Sequence, residues 1–172
     1  MIIKAFYGLA KIMAMLAGIL IVIIAGLILA EITYRNVWGK SLDFPWEYSA
    51  YLMSAAAMLA APNTLTADGH IRVSIMQSLR PGFQKVVDIF VAACALLVSS
   101  TLAYALCMLA YRSYSRGSTS PTINAVPLAI PQSVMAFGAV LLAVQLLLIF
   151  TGVVFGKPMS DIIVKDNSVG GE

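Results

Sequence analysis

Stretches without a charged residue are the feature that most constrains this 172-residue chain. They cover residues 12–30, 48–67, 89–111 and 117–156, and the last is continuously apolar only from about 132 to 155. A helix rises about 1.5 Å per residue, so about 20 apolar residues cross a hydrocarbon core of about 30 Å. The sequence therefore predicts an all-α integral membrane protein. It predicts a single transmembrane domain over residues 1–172, with four transmembrane helices at about 12–30, 48–67, 89–111 and 132–155.

The composition leaves little chain for a soluble domain. Apolar residues make up 60% of the chain and charged residues 11%, whereas apolar residues are roughly half of a soluble domain. The net charge of +3 comes from basic residues scattered through the loops, so it indicates membrane orientation and no nucleic-acid partner. The first apolar run has 19 residues, longer than the roughly 7–15 of a cleaved signal core. We therefore expect an uncleaved first span.

Lysine and arginine counts in the loops predict the orientation. Seven of these residues lie in the N-terminal segment, the second loop and the tail, and four lie in the first and third loops. The larger group belongs on the cytoplasmic side of the membrane. Both termini of this multi-pass chain are therefore expected in the cytoplasm.

Small residues recur every four positions in the spans, a spacing that favours close contact between helices in lipid. Gly18 belongs to such a row in the first span and Ala103 to one in the third. The rows are Ala14, Gly18, Gly26 and Ala30, then Ala56 and Ala60, then Ala95, Ser99, Ala103 and Cys107. Two interpretations stay open: the rows pack these spans on one another, or they pack against another protein.

The first loop carries aromatic and charged residues at both helix ends. Trp38 and Trp46 suit the aromatic belt of a membrane interface. Arg35 and Glu47 flank the turn. Two interpretations stay open for these two residues: an ion pair across the hairpin, or separate anchoring at the interface.

The second loop, residues 68–82, has a partial helical pattern. Its apolar side suits a short amphipathic interfacial helix between the second and third spans, ended by Pro81-Gly82. Arg72 lies on that side, where its stem reaches towards headgroups. His70, the single histidine, is expected to cap a helix or form a turn. The tail, residues 158–172, is expected to be disordered.

The residues disfavour catalysis and cofactor binding. A haem needs axial ligands, and His70 stands alone in a loop. Cys94 and Cys107 share one span, about 20 Å apart, too far for a disulfide. No cluster of histidine and acidic residues lies within a span to hold a metal. We expect no catalytic residues, no metal and no cofactor, and hence no enzyme.

An autonomous small four-span proton-coupled transporter is the alternative. Such a protein places an ionisable residue deep in the membrane. All acidic and basic residues here lie outside the expected spans or at their ends, and Glu31 is the nearest of them. Secondary transporters also show helix breaks in paired repeats, whereas this chain has Pro62 in the second span and no repeat. An accessory membrane subunit is therefore favoured.

Three places in the chain resemble the small membrane subunit of tripartite ATP-independent periplasmic (TRAP) transporters, the DctQ-like family. The first is Arg35, a short turn and Trp46-Glu47, and the second is Gly-His-Ile-Arg-Val at 69–73. The third is Ser120 followed by Ile130-Pro131 and then Gly138. The resemblance covers roughly residues 10 to 156. Relatives commonly have a second acid at Tyr48, an acid at Ser74 and an aromatic residue at Gln132.

This resemblance implies a function shared with two other proteins. A periplasmic binding protein captures a small organic acid, and a large membrane subunit moves it inward with a sodium gradient. The small subunit, in the bacterial inner membrane, resembles a scaffold that supports the fixed part of the large subunit. Residues expected to contact partners or lipid are Arg35, Trp38, Trp46, Glu47, His70, Arg72, Gly18 and Ala103.

Overall fold

The computed structural model describes residues 2–67 and 81–156, which form four helices. They are α1 (Ile2–Trp38), α2 (Phe44–Ala67), α3 (Pro81–Arg116) and α4 (Ala129–Val154). The loop 39–43 joins α1 to α2, and the loop 117–128 joins α3 to α4. Each expected span overlaps one of these helices, and where the chain enters and leaves the membrane stays a prediction. The expected interfacial helix and the tail lie outside the described residues.

Three of these helices are long and apolar enough to cross a membrane. The qualifying segments are Gly8–Trp38, Lys85–Arg116 and Ala129–Val154. With 37 residues, α1 is about 55 Å long, so it extends well beyond a hydrocarbon core of about 30 Å. α2 has the expected length but does not qualify, because Pro62, Asn63 and several serines and threonines interrupt its alanine-rich run.

Glycine and proline set the helix boundaries. Gly39 follows α1 with a φ of 66°, and its N–H donates to the Arg35 carbonyl at 3.0 Å. Gly117 follows α3 with a φ of 60°. Glycine adopts this left-handed conformation without the steric cost that a side chain adds, which ends a helix cleanly. Pro131 lies in the first turn of α4 as expected, where proline fits a helix start.

The helices lie side by side in an open row instead of a closed bundle. α1 packs on α2, α2 packs on α4, and α4 packs on α3. Among the described residues α1 barely touches α4, and no extensive contact joins α3 to α1 or α2. α1 and α3 are therefore the two edges of the row, each with one helix neighbour. α2 and α4 are the inner helices, each with extensive contacts to two neighbours.

Two apolar clusters hold the row together. One centres on Leu146, Ile149 and Val153 of α4, against side chains of α2 and α3 such as Leu65 and Ile89. The second joins Ala17 of α1 to Ala56 and Leu59 of α2. Both clusters involve α2, so this helix links α1 to the rest of the chain.

α2 and α4 approach each other closely at Gly138. A Cβ added at Gly138 would lie 2.6 Å from the Met58 carbonyl oxygen. Pro62 follows Met58 by one turn and has no N–H to donate to that carbonyl. Gly138 thus brings the α4 backbone against a carbonyl that proline has left without its usual helical donor. Cα–H groups and carbonyl oxygens make weak favourable contacts at such close crossings.

The small-residue rows divide between the two interpretations that the sequence left open. Gly18 and Gly26 of α1 face outward, because a Cβ added at either would meet nothing within 4 Å. The α1 face that packs on α2 uses Ala10 and Ala17 instead. In α3 the row turns inward, since Ser99 is 4% exposed.

Candidate partner interface at the loop end

The loops 39–43 and 117–128 lie at the same end of the row, called the loop end here. Glu47, in the first turn of α2, reaches residues of the loop 117–128, which fixes the two loops as neighbours. α1 and α3 therefore run towards this end, and α2 and α4 run away from it. Four of the eight residues expected to contact partners or lipid lie here: Arg35, Trp38, Trp46 and Glu47.

Glu31 holds the turn between α1 and α2. Its carboxylate accepts a hydrogen bond from the Ser41 hydroxyl at 2.6 Å and one from the Leu42 N–H at 2.8 Å. The side chain is only 2% exposed. Bonds to a charged acceptor are stronger than neutral ones. Glu31 therefore fixes the loop 39–43 against the last turns of α1.

Glu47 connects α2 to the loop 117–128. Its Oε2 accepts hydrogen bonds from the Thr122 hydroxyl at 2.5 Å and from the Asn124 amide at 3.1 Å. Its Oε1 accepts one from the Tyr51 hydroxyl at 2.9 Å. The hydroxyls of Ser120 and Thr122 lie 2.8 Å apart. These five residues form a polar cluster, called the Glu47 clamp below.

The clamp stabilises the charged form of the carboxylate. The Ser120 hydroxyl, then those of Thr122 and Tyr51 and the Asn124 amide, lower the pKa of Glu47 from its ordinary 4.5 to about 2, with partial burial opposing them. Hydrogen bonds to a carboxylate favour ionisation. Glu47 is therefore ionised at neutral pH, and the hydroxyl and amide donors of the clamp stabilise its charge.

The loop held by the clamp has a defined backbone. Ser120 N–H donates to the Val126 carbonyl at 2.9 Å, and Leu128 N–H donates to the Ser118 carbonyl at 3.0 Å. Ala125 has a φ of 43°, unusual for a residue with a side chain. Ile123 lies between the clamp residues Thr122 and Asn124 and is 87% exposed. The loop thus presents a large apolar side chain on a rigid support.

A small cleft brings several predicted interface residues together. It measures about 140 Å³ and is lined by Ile28, Glu31, Ile32, Arg35, Pro45 and Trp46. Trp38 lies outside it and stacks on Tyr34, with ring centroids 5.0 Å apart. Trp38 and Trp46 are both more than half exposed. Arg35 and the two tryptophans therefore share one exposed region at the loop end.

Arg35 and Glu47 form no ion pair in the part of the chain that the structure describes. Glu47 instead binds the hydroxyl and amide groups of its clamp, and Arg35 lines the cleft beside Glu31. Of the two interpretations left open by the sequence, an ion pair or separate anchoring, the geometry favours separate positions for Arg35 and Glu47 at the loop end. His70 and Arg72 lie outside the described residues.

Gly18 and Ala103, both expected at an interface with a partner, have opposite environments. Gly18 is exposed and has open space around it. Ala103 is 7% exposed, so its side chain is covered by the chain itself. This burial does not favour a contact between Ala103 and a partner, and that contact stays a prediction. Small residues in lipid pack internal and external neighbours equally well, so their spacing did not separate the two cases.

Sequence reasoning missed most partners of Glu47 and the role of Glu31. Tyr51 follows Glu47 by four residues, so the two share one face of α2. Ser120, Thr122 and Asn124 lie in a polar loop whose hydrogen-bonding capacity was visible. Nothing in the sequence connects that loop with Glu47, which precedes Thr122 by 75 residues.

The geometry is that of a membrane protein whose apolar helices lie in an open row, with polar clusters at the loop end. The family is more specific. Residues 24–155 match the family model described as "Tripartite ATP-independent periplasmic transporters, DctQ component", so the chain belongs to the DctQ family. It is the small permease component of a TRAP transporter. No curated protein and no solved structure matches the chain.

Proposed function

We propose that this chain is the scaffold subunit of a sodium-coupled TRAP transporter that imports a small organic acid. Its protein partners are a large membrane subunit and a periplasmic substrate-binding protein, and the chain also contacts membrane lipid. The open row of helices is the observation that supports this most. Both edge helices keep long apolar sides uncovered, as suits a chain that completes its packing against a larger membrane protein.

In this proposal all four helices cross the bacterial inner membrane. α2 is the one of these helices without the sustained hydropathy of a candidate span, and α1 and α4 pack on either side of it. This position shields the buried Ser49 and Pro62 from much of the lipid. Membrane interiors tolerate such residues where neighbouring helices cover them.

The loop end faces the periplasm in this proposal, because fewer basic residues flank it. The test is labelling with a membrane-impermeant thiol reagent, in a chain whose two native cysteines are replaced by serine. Ile123→Cys is suited to it because Ile123 is 87% exposed. In intact cells Ile123→Cys should react and Ile75→Cys should not. Labelling at residue 75 alone would reverse the orientation.

Arg35, Trp38 and Trp46 then lie at the periplasmic headgroup level, where tryptophan and arginine anchor a helix end. His70 and Arg72 lie on the cytoplasmic side, where they contact lipid or the large subunit. Arg35→Ala and Glu47→Ala should lower assembly more than Lys40→Ala does. Glu47 acts through the loop 117–128, and Arg35 acts as the charged group of the exposed region at the loop end. Equal effects from all three would reduce these residues to ordinary anchors.

The outward face of α1 around Gly18 is the proposed contact for the large subunit. Gly18→Leu fills a smooth surface and should reduce co-purification of the large subunit, while insertion is preserved because leucine favours it by a few tenths of a kcal/mol. Val22→Leu, on the same face and already large, is the matched control and should change little. Equal recovery from both variants would remove this face from the interface.

The function itself is tested by reconstitution into liposomes under a sodium gradient. Uptake of an organic acid should require this chain, the large subunit and the binding protein together. Uptake by this chain alone under a sodium or proton gradient would refute the scaffold function.

A further inference from the structure

The outer side of α3 carries large residues seven positions apart. Phe90, Leu97, Tyr104 and Tyr111 are each about two-thirds exposed. Positions seven apart on an α-helix drift by only about 20°, so these four form one continuous ridge, called the outer ridge here. Its residues 90 to 111 span about 30 Å, the thickness of the hydrocarbon core. The buried residues of α3, such as Ser99, lie on the opposite side.

Two hydroxyl groups in the middle of this side, those of Tyr104 and Ser100, have no hydrogen-bond partner among the described residues. Their neighbours differ, because Ser99 donates to the Leu96 carbonyl at 3.0 Å and Thr101 donates to the Val98 carbonyl at 2.8 Å. Side chains on a helix lean towards its N-terminus. The Tyr104 phenol therefore leans away from the nearer membrane surface and towards Ser100, in the middle of the span.

Lipid alone is a poor neighbour for these groups. A hydroxyl in hydrocarbon loses its hydrogen bonds to water and gains none in return. The outer side of α1 shows the contrast, since residues 12–30 contain only aliphatic residues, methionine and glycine. That surface has no polar group to satisfy, so its neighbour needs no polar side chain. The outer ridge of α3, in contrast, requires a neighbour with polar groups at the middle of the bilayer.

We propose that the outer ridge docks a transmembrane helix of the large membrane subunit, which supplies a polar side chain to the Tyr104 and Ser100 hydroxyls. This proposal rests on the scaffold function and adds a second contact, distinct from the face around Gly18. A cleft of about 360 Å³ continues the ridge towards the loop end, between Tyr111, Tyr114 and Ile130. It accommodates a side chain of the same docked helix near the membrane surface.

Photo-crosslinking from neighbouring positions tests the docking. Leu97 and Val98 are 66% and 63% exposed and lie at the same depth, but they point about 100° apart around the helix. A benzophenone amino acid at 97 should crosslink to the large subunit in membranes that contain the whole transporter. The same probe at 98 should crosslink at least several-fold less. Equal crosslinking from both positions, crosslinking of 97 to a second copy of this chain, or crosslinking to lipid alone would each overturn the proposal.

Tyr104→Phe tests the hydroxyl separately from the apolar surface. Hydrogen bonds between membrane helices have modest strength, so the variant should bind the large subunit about threefold to twentyfold more weakly. Tyr48→Phe is the matched control, because Tyr48 lies near the start of α2 at the loop end, away from the outer ridge, where water replaces a lost partner. Unchanged binding by Tyr104→Phe would overturn the polar contact. If the unmodified chain does not co-purify with the large subunit, the scaffold function is refuted as well. If it co-purifies but the probe at 97 forms no crosslink, only the docking on the outer ridge is refuted.

Discussion

Gly138 in α4 and Gly18 in α1 occupy apolar stretches of similar composition, but only Gly138 touches another helix. A Cβ at Gly138 would lie 2.6 Å from the Met58 carbonyl oxygen, and one at Gly18 would meet nothing within 4 Å. The surroundings follow the same division. In the most apolar part of α4, 39% of residues are buried inside the chain, against 6% in α1. One helix is packed by this chain, and the other leaves its packing to its surroundings.

This difference shows which helix contributes most to the stability of the isolated chain. α4 makes extensive contacts with two helices, so a change in its buried residues must be absorbed by close-packed neighbours. α1 makes extensive contacts with α2 alone, so most changes on its surface leave the fold intact. Variants at the two helices therefore separate effects on folding from effects on assembly.

Gly138→Ala should have the largest effect on the isolated chain. The added methyl group meets backbone atoms of α2, which shift only if the two helices separate. Overpacking of this kind costs about 1–3 kcal/mol, which denaturant unfolding in detergent would measure. The matched control is Gly26→Ala, which adds the same group where nothing lies within 4 Å. Equal loss of stability from both would mean that the α2–α4 contact is not tight.

Gln145→Leu should raise stability, because α4 buries the Gln145 amide. The side chain is 2% exposed, and neither of its amide atoms has a hydrogen-bond partner among the described residues. An unsatisfied buried polar group costs about 1–3 kcal/mol, and leucine of similar size removes that cost. A higher unfolding free energy than that of the unmodified chain is the expected result. Destabilisation would instead reveal an unseen partner for the amide.

Protonation of Glu47 should loosen the loop 117–128 without unfolding α4. A carboxyl with a folded pKa of about 2, below its ordinary 4.5, contributes stability that is present above pH 4.5 and lost as the pH falls towards 2. As the pH falls from 4.5 towards 2, the Ser120 and Ala125 amides should therefore exchange faster relative to their intrinsic rates. Glu47→Gln cannot titrate and should abolish the change. A response that persists in this variant would assign it to another acid.

Gly18→Leu should have the smallest effect on the isolated chain. Its side chain points into open space, so the free energy of unfolding in detergent should stay within about 0.5 kcal/mol, as for exposed substitutions. Lower stability comparable to that of Gly138→Ala would mean that α1 packs on a neighbour within its own chain. The comparison between the two glycines would then fail.

The sequence predicted the helices well because the cost of burying charge in lipid limits where spans can lie. It also identified Glu47 and Gly138 as residues of interest, on the motifs that carry the resemblance. Their partners were not predictable, since contacts such as Glu47 with Thr122 or Gly138 with Met58 join distant parts of the chain. The direction of a small-residue row was likewise undetermined: the same spacing faces outward at Gly18 and inward at Ala103.

The Glu47 clamp also has a consequence for how the protein is made. Glu47 and Thr122 are 75 residues apart, so α1 and α2 leave the ribosome well before the loop that completes the clamp. Glu31, Ser41 and Leu42 are close in sequence, so the first turn can be secured at once. The Glu47 carboxylate therefore stays hydrated by interfacial water until α3 and α4 have been inserted. The clamp is thus a late step of biogenesis, and it closes only when the second hairpin has reached its place beside the first.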